Sequence, residues 1–120
     1  MTQPNDADIA ARDALADRLR TMLADEPSLD ERSMFGSRAF MVREKLVACA
    51  FKRGGLLVRV DAQREDELLQ RPGATRAVMA GRDMGAGWVS VEPDAISDDG
   101  ELRLWLDVAL EYNRSQAGPS

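Results

Sequence analysis

The sequence predicts an α+β domain in which an antiparallel β-sheet, a three-strand meander with one or two further strands, packs with N-terminal and C-terminal helices. Three observations carry that expectation. Apolar residues recur at three- and four-residue spacing near both ends of the chain, as Leu15, Leu19, Met22 and Leu23 and again as Leu102, Trp105, Leu106, Ala109 and Tyr112. Between residues 39 and 60 the apolar period drops to two. Of two glycine-bearing corners, Met34-Phe35-Gly36 leads into that region and Lys52-Arg53-Gly54-Gly55 interrupts it.

Asp6 or Asp8 caps a first helix reaching about Ala24, with acidic side chains at its positive dipole end. Asp13, Asp17 and Arg20 fall off its apolar stripe, and Glu26-Pro27-Ser28 ends it, because the residue before proline is steered out of helical angles. From Ala39, Phe40 and Val42 share one face, opposite Ala39, Met41 and Arg43. In the next run the alternation sets Val47, Cys49 and Phe51 against Leu46, Ala48, Ala50 and Lys52. Gly54-Gly55 suits a tight hairpin, and Leu56, Val58 and Val60 then alternate with Leu57 and Arg59. Asp61 caps a short helix from Ala62 to Leu69 or Gln70, stopped by Arg71-Pro72-Gly73. Arg76–Ala80 reads as a weak strand, Gly81–Gly87 as a loop and Trp88–Val91 as another strand. Asp98 and Glu101 have capping-box spacing at the start of the last helix. The polar ends, residues 1–5 and 115–120, read as loose tails around one domain with an ordered core of about residues 8–114.

Composition removes whole classes of chemistry. The 120 residues include no histidine, hence no imidazole base and none of the commonest metal ligand. The single Cys49 excludes an internal disulfide, no apolar run approaches a membrane span of about 20 residues, and no signal peptide is apparent, so a cytoplasmic protein is expected. Carboxylates are abundant but fall on helix faces and caps. Neither an enzyme, a cofactor nor a metal site is expected.

The net charge of −5 conceals a segregation. Residues 1–31 sum to −5, residues 32–82 to +6 and residues 83–120 to −6. A basic middle between acidic flanks marks either a polyanion-binding face or strand charges neutralised by the helices around them. The candidate anion- or nucleic-acid-binding residues are Arg38, Arg43, Lys45, Lys52, Arg53, Arg59 and Arg82, with Arg76 beside them. Because successive hairpin turns lie at opposite ends of a meander, Arg43 and Lys45 are expected apart from Lys52 and Arg53.

Other motifs read as structural. Met34 and Phe35 are expected to plug the core while Gly36 turns the chain into the first strand. Cys49 is expected to be a buried, inert thiol without a histidine to activate it. Trp88 and Trp105 are expected to pack against each other in the core rather than form a ligand platform. The glycines of Gly81–Gly87 precede a strand and lack the lysine of a phosphate loop.

In their order, these landmarks resemble the N-terminal domain of the TfoX/Sxy family, bacterial proteins associated with control of natural competence. The residues that carry the resemblance are Met34-Phe35-Gly36 after an acidic helix, Leu56-Leu57-Val58-Arg59-Val60-Asp61 and Arg71-Pro72-Gly73. Gly87-Trp88-Val89-Ser90-Val91 and Glu101-Leu102-Arg103-Leu104-Trp105-Leu106 complete the set, which spans Leu15 to Asn113. The chain looks like the stand-alone form, without the helical C-terminal domain of longer members. Where the family often has glycine at the first hairpin turn this chain has Glu44, so that turn is either two residues or wider. The resemblance implies an α+β fold and a regulatory role, exercised through a protein partner or, as the lesser expectation, nucleic acid. It supplies no catalytic site. The alternative is a structural module that forms a homodimer by pairing an exposed strand edge with a second copy.

Overall fold

A computed structural model describes residues 6–34, 36–79 and 81–116. Helix α1 (Asp6–Met22) leads into β1 (Leu29–Met34), β2 (Ser37–Val42), β3 (Lys45–Ala50) and β4 (Leu56–Arg59). A short helix, α2 (Glu65–Leu68), precedes β5 (Ala74–Arg76), β6 (Val78–Met79), β7 (Arg82–Asp83) and β8 (Trp88–Val91), and α3 (Asp99–Gln116) closes the chain. Six strands form one antiparallel sheet in the order β1-β2-β3-β4-β8-β5, and β6 and β7 form a separate two-stranded ribbon. The predicted α+β class, antiparallel sheet and flanking helices are all present.

Both long helices lie on one face of the sheet. Leu15, Leu19 and Leu23 from the α1 segment meet Phe40, Val42, Leu56, Val58, Val89 and Val91 from the strands and Leu102, Trp105, Leu106 and Ala109 from α3. Asn113, not Tyr112, occupies the last inward position of α3, three residues after the buried Leu110. Asp98 caps that helix by accepting from the Glu101 N–H at 3.1 Å. The Glu101 carboxylate takes the Arg71 guanidinium at 2.9 and 3.0 Å, pinning the Arg71-Pro72-Gly73 stop to α3.

Three features depart from the sequence reading. The first is β1, a strand on Leu-Asp-Glu-Arg-Ser-Met that alternation could not reveal, because no apolar period runs through it. It pairs with β2 over six residue pairs, and the Arg20 guanidinium of α1 clasps Glu31 through two bonds of 2.8 Å. Consequently Gly36 (φ +82°) sits in a hairpin turn between two strands, where a positive φ favours glycine.

The second is a β-bulge. Phe40 pairs with Ala48 but Met41 with Leu46, leaving Val47 unpaired. The extra residue breaks strict alternation, so Val47 joins Ala48 and Ala50 in the main core while Leu46 joins Cys49 and Phe51 on the other face. The expected grouping of Val47 with Cys49 is thereby corrected.

The third concerns turns and the weak strand. Val42 pairs with Lys45 across a two-residue turn in which Arg43 (φ 53°) and Glu44 (φ 67°) both adopt left-handed angles, the geometry that matches strand twist. The β3–β4 connection is wider than a Gly-Gly hairpin: Phe51 N–H donates to Gly55 O at 2.9 Å, and Arg53 (φ 69°) and Gly54 (φ 85°) carry the positive angles. The predicted Arg76–Ala80 strand is split at Ala77, whose N–H donates to Trp88 O at 3.0 Å and whose carbonyl accepts from Met84 N–H at 2.9 Å. Beyond Ala77 the chain leaves the sheet and folds the β6–β7 ribbon, whose first strand falls in the predicted strand and whose second lies inside what read as loop. At the C-terminus α3 runs through Gln116, past the predicted start of a loose tail.

Candidate functional site on the open face of the sheet

The face turned away from the helices carries its own small apolar cluster. Ala39, Cys49, Leu57 and Ala77 are buried there, with Leu46, Phe51, Met84 and Trp88 packed around them. Beneath Phe51, Met84 and Trp88 lies a cavity of about 190 Å³, floored by Ala39, Cys49 and Leu57. Met34 stands at its rim, 42% exposed, where a plug of the main core had been expected. A strand adjoining a turn points its side chain by register, and pairing with Ser37 sets Met34 on this face. Phe35, assigned to the core from sequence, lies outside the described residues.

Cys49 is 4% exposed and donates to Ser37 Oγ at 3.1 Å, which in turn donates to Met34 O at 2.6 Å. Burial pushes the thiol pKa up, with the Ser37 bond opposing in part, so the thiol is kept protonated at neutral pH. The two tryptophans lie on opposite faces: Trp105 is fully buried among the helix-side residues, whereas Trp88 is half-buried on the open face. Their expected mutual packing is corrected by the sheet that separates them. Gly87 (φ +91°), next to Trp88, is obligatory for space, since a Cβ there would meet Val60 O at 2.8 Å. Its N–H donates to the buried Glu65 carboxylate at 2.9 Å, which fixes the approach to β8.

A second cavity, of about 280 Å³, adjoins the first and shares Leu46 and Trp88 with it. It is lined further by Lys45, Arg59, Tyr112 and Asn113. The Arg59 guanidinium lies 4.7 Å from the centroid of the Trp88 ring and 5.3 Å from that of Tyr112. It donates to Ala86 O at 3.3 Å and to Tyr112 Oη at 3.4 Å, so ring stacking and two bonds fix its orientation. Lys45 Nζ donates to Gln116 O at 2.9 Å, a cation on the carbonyl end of α3. Arg43 donates to Asn113 Oδ1 at 3.2 Å, and Asn113 Nδ2 donates to Val42 O at 3.0 Å, tying the β2–β3 turn to the helix.

The remaining basic candidates go elsewhere. Arg38 lies at the β1 side, bonded to Ser33 Oγ at 2.8 Å and 3.6 Å from the Glu31 carboxylate. Arg53 reaches Asp8 of α1 at 3.4 Å and, with Lys52, lines a shallow cleft beside Gly36 and Phe51. Arg76 is shared between Asp83 at 3.1 Å and Glu65 at 3.6 Å, and Arg82 is exposed on the β6–β7 ribbon. Thus Lys45 and Arg59 line one cleft and Arg43 reaches only the Asn113 of its wall, while the other five are dispersed, three of them beside carboxylates. Tyr112 and Asn113 are the site residues the sequence reading missed. The signal was the position of the last turn of α3 opposite the Arg43-Glu44 turn, which only the sheet register discloses. Among the described residues no group of three or more Asp, Glu or Cys side chains is placed to hold a metal ion. Among the same residues no helix is long and apolar enough to cross a membrane.

Sheet, helices and recess together define a small α+β domain with one face closed by helices and the other hollowed and rimmed by cations. Residues 21–112 match the TfoX N-terminal domain, and the chain belongs to that family. The matched segment holds every strand together with Arg59, Trp88 and Tyr112. A comparison with curated proteins finds no match.

Proposed function

We propose that this chain is a non-enzymatic regulatory binding domain of the cytoplasm, acting in competence- or transcription-related control through a protein partner. Membership of the TfoX N-terminal domain family supports the regulatory part. The observation that carries the choice of partner is the dispersal of the basic residues. A phosphate backbone is tracked by a run of free cations, whereas here Arg38, Arg53 and Arg76 lie beside Glu31, Asp8 and Asp83 and the chain is acidic overall. The protonated, buried Cys49 favours binding over nucleophilic chemistry.

Titration with a fluorescein-labelled duplex at about 50 and 200 mM salt, with light scattering on the same samples, tests this reading. The expected result is a monomer with no saturable DNA binding at either concentration. Saturable binding at the lower salt that falls by roughly a thousandfold at the higher would transfer the function to nucleic acid. A stable dimer without DNA binding would favour the oligomerising module instead.

A further inference from the structure

We infer that the open face holds a small-molecule site for an apolar monocarboxylate, its hydrocarbon body in the cavity under Phe51 and Trp88 and its carboxylate in the adjoining Lys45–Arg59 cleft. Three observations converge on that chemistry. The two cavities adjoin, with Leu46 and Trp88 lining both, so a ligand that reaches past these two side chains touches both. Apart from Ser37 the inner one is lined by aliphatic, sulfur-bearing and aromatic side chains, and at about 190 Å³ it falls below the usual drug-sized pocket of about 300–1,000 Å³. A short chain or a single ring is what it admits.

Charge selects the other end of the ligand. None of the ion pairs among the described residues involves Arg43, Lys45 or Arg59, although most other arginines are so paired. Their hydrogen-bond acceptors are carbonyl, amide and phenol oxygens, all neutral. The cleft therefore gathers two positive charges, Lys45 and Arg59, with Arg43 bonded to the Asn113 of its wall and no ion-paired counterion to any of the three among the described side chains. Arg59 is held between two rings with two of its donors engaged, which leaves others of its planar fork for an incoming carboxylate. Fixing the guanidinium before the ligand arrives removes ordering cost from the binding step. An acidic peptide would meet the same cations, but a recess this small beside them favours a compact free acid. The inference is independent of which macromolecule the domain meets.

The test is titration of the full chain with 3-phenylpropionate, following the indole N–H resonances of Trp88 and Trp105 in two-dimensional NMR spectra. Trp88 is expected to shift saturably while Trp105, on the far side of the sheet, stays in place. The neutral isostere 3-phenylpropanamide and inorganic phosphate, each lacking one half of the recognition, should bind at least about tenfold more weakly, since one charge-assisted hydrogen bond or a buried ring is worth that much. Lys45→Gln, on an exposed side chain, and Arg59→Gln should each weaken the acid by about tenfold. The assignment is overturned if no saturable shift occurs, if the amide or phosphate binds as well as the acid, or if Lys45→Gln leaves affinity unchanged. It is equally overturned if a short acidic peptide shifts Trp88 where the free acid does not.

Discussion

The two faces of the sheet use the same strands for opposite ends. Leu56 and Leu57 are neighbours in β4, both essentially buried, yet Leu56 faces α1 and α3 and Leu57 faces the hollow under Trp88. On the helix side buried side chains from α1, α3 and four strands fill the space; on the open side a sparse cluster leaves a recess. Closure there comes from two long helices, whereas on the other face Ala77 and Met84, which flank the β6–β7 ribbon, pack beside Phe51 and Trp88. What distinguishes the faces is packing rather than burial of individual residues.

The sharpest way to break this comparison is one substitution made on each side. Leu56→Ala leaves a closed hole in the helix-side core and should cost about 3–5 kcal/mol, toward the upper end for leucine truncation. Leu57→Ala only widens a recess that already exists, so little new cavity is created and the loss should be about 2–3 kcal/mol. Urea denaturation of both variants decides it. Equal losses would mean that the open face is as tightly packed as the helix face and that the recess is not a standing feature.

A smaller effect is expected at the junction between the faces. Asn113 is 3% exposed and holds Val42 O and the Arg43 guanidinium together at the end of α3. Asn113→Ala strands the Val42 carbonyl in a buried position and should cost about 1–3 kcal/mol, measured in the same urea experiment. It should also release Arg43 beside the cleft. A cost near zero would show that water replaces the amide, and that the turn and the helix are not rigidly joined.

Legibility from sequence followed the same division. Helix-side elements were readable because their order is local: leucines at three- and four-residue spacing in α1 and α3, and alternation in β2 and β4, each report burial on one face. The open face was not readable, because its composition depends on a bulge. Val47 gives no local sign that it leaves the ladder, yet its departure moves Leu46 onto the Cys49 side and builds the wall shared by both cavities. β1 was invisible for a different reason, its charged residues being ordered by pairing with β2 and by Arg20 rather than by their own hydrophobic pattern. The separation of the basic residues at the two hairpin turns followed from meander geometry alone. That Arg59 would share a cleft with Lys45 beside Tyr112 depends on where α3 ends.

The smallest predicted effect concerns the rim of the helix side, where apolar packing gives way to charge. Glu31 on β1 takes both Arg20 bonds from α1, and these hydrogen bonds, more than the nearby positive charges, hold its carboxyl pKa below the ordinary range against an opposing contribution from burial. The sign follows from linkage: a carboxyl whose folded pKa lies below its unfolded one stabilises the fold above the unfolded value, and that contribution disappears as pH falls through the folded value. Arg20 is almost half exposed and the pair is screened, so the contribution should not exceed about 1 kcal/mol. Glu31→Gln should therefore cost at most that at pH 7, and the difference from the unaltered chain should vanish on acidification from about pH 5 to 2. Stability measured by urea across that interval, at low and high salt, reads it directly. A difference that persists at the acid end would mean that β1 is held by strand pairing and that the Arg20 clasp contributes nothing to closing the helix-side rim.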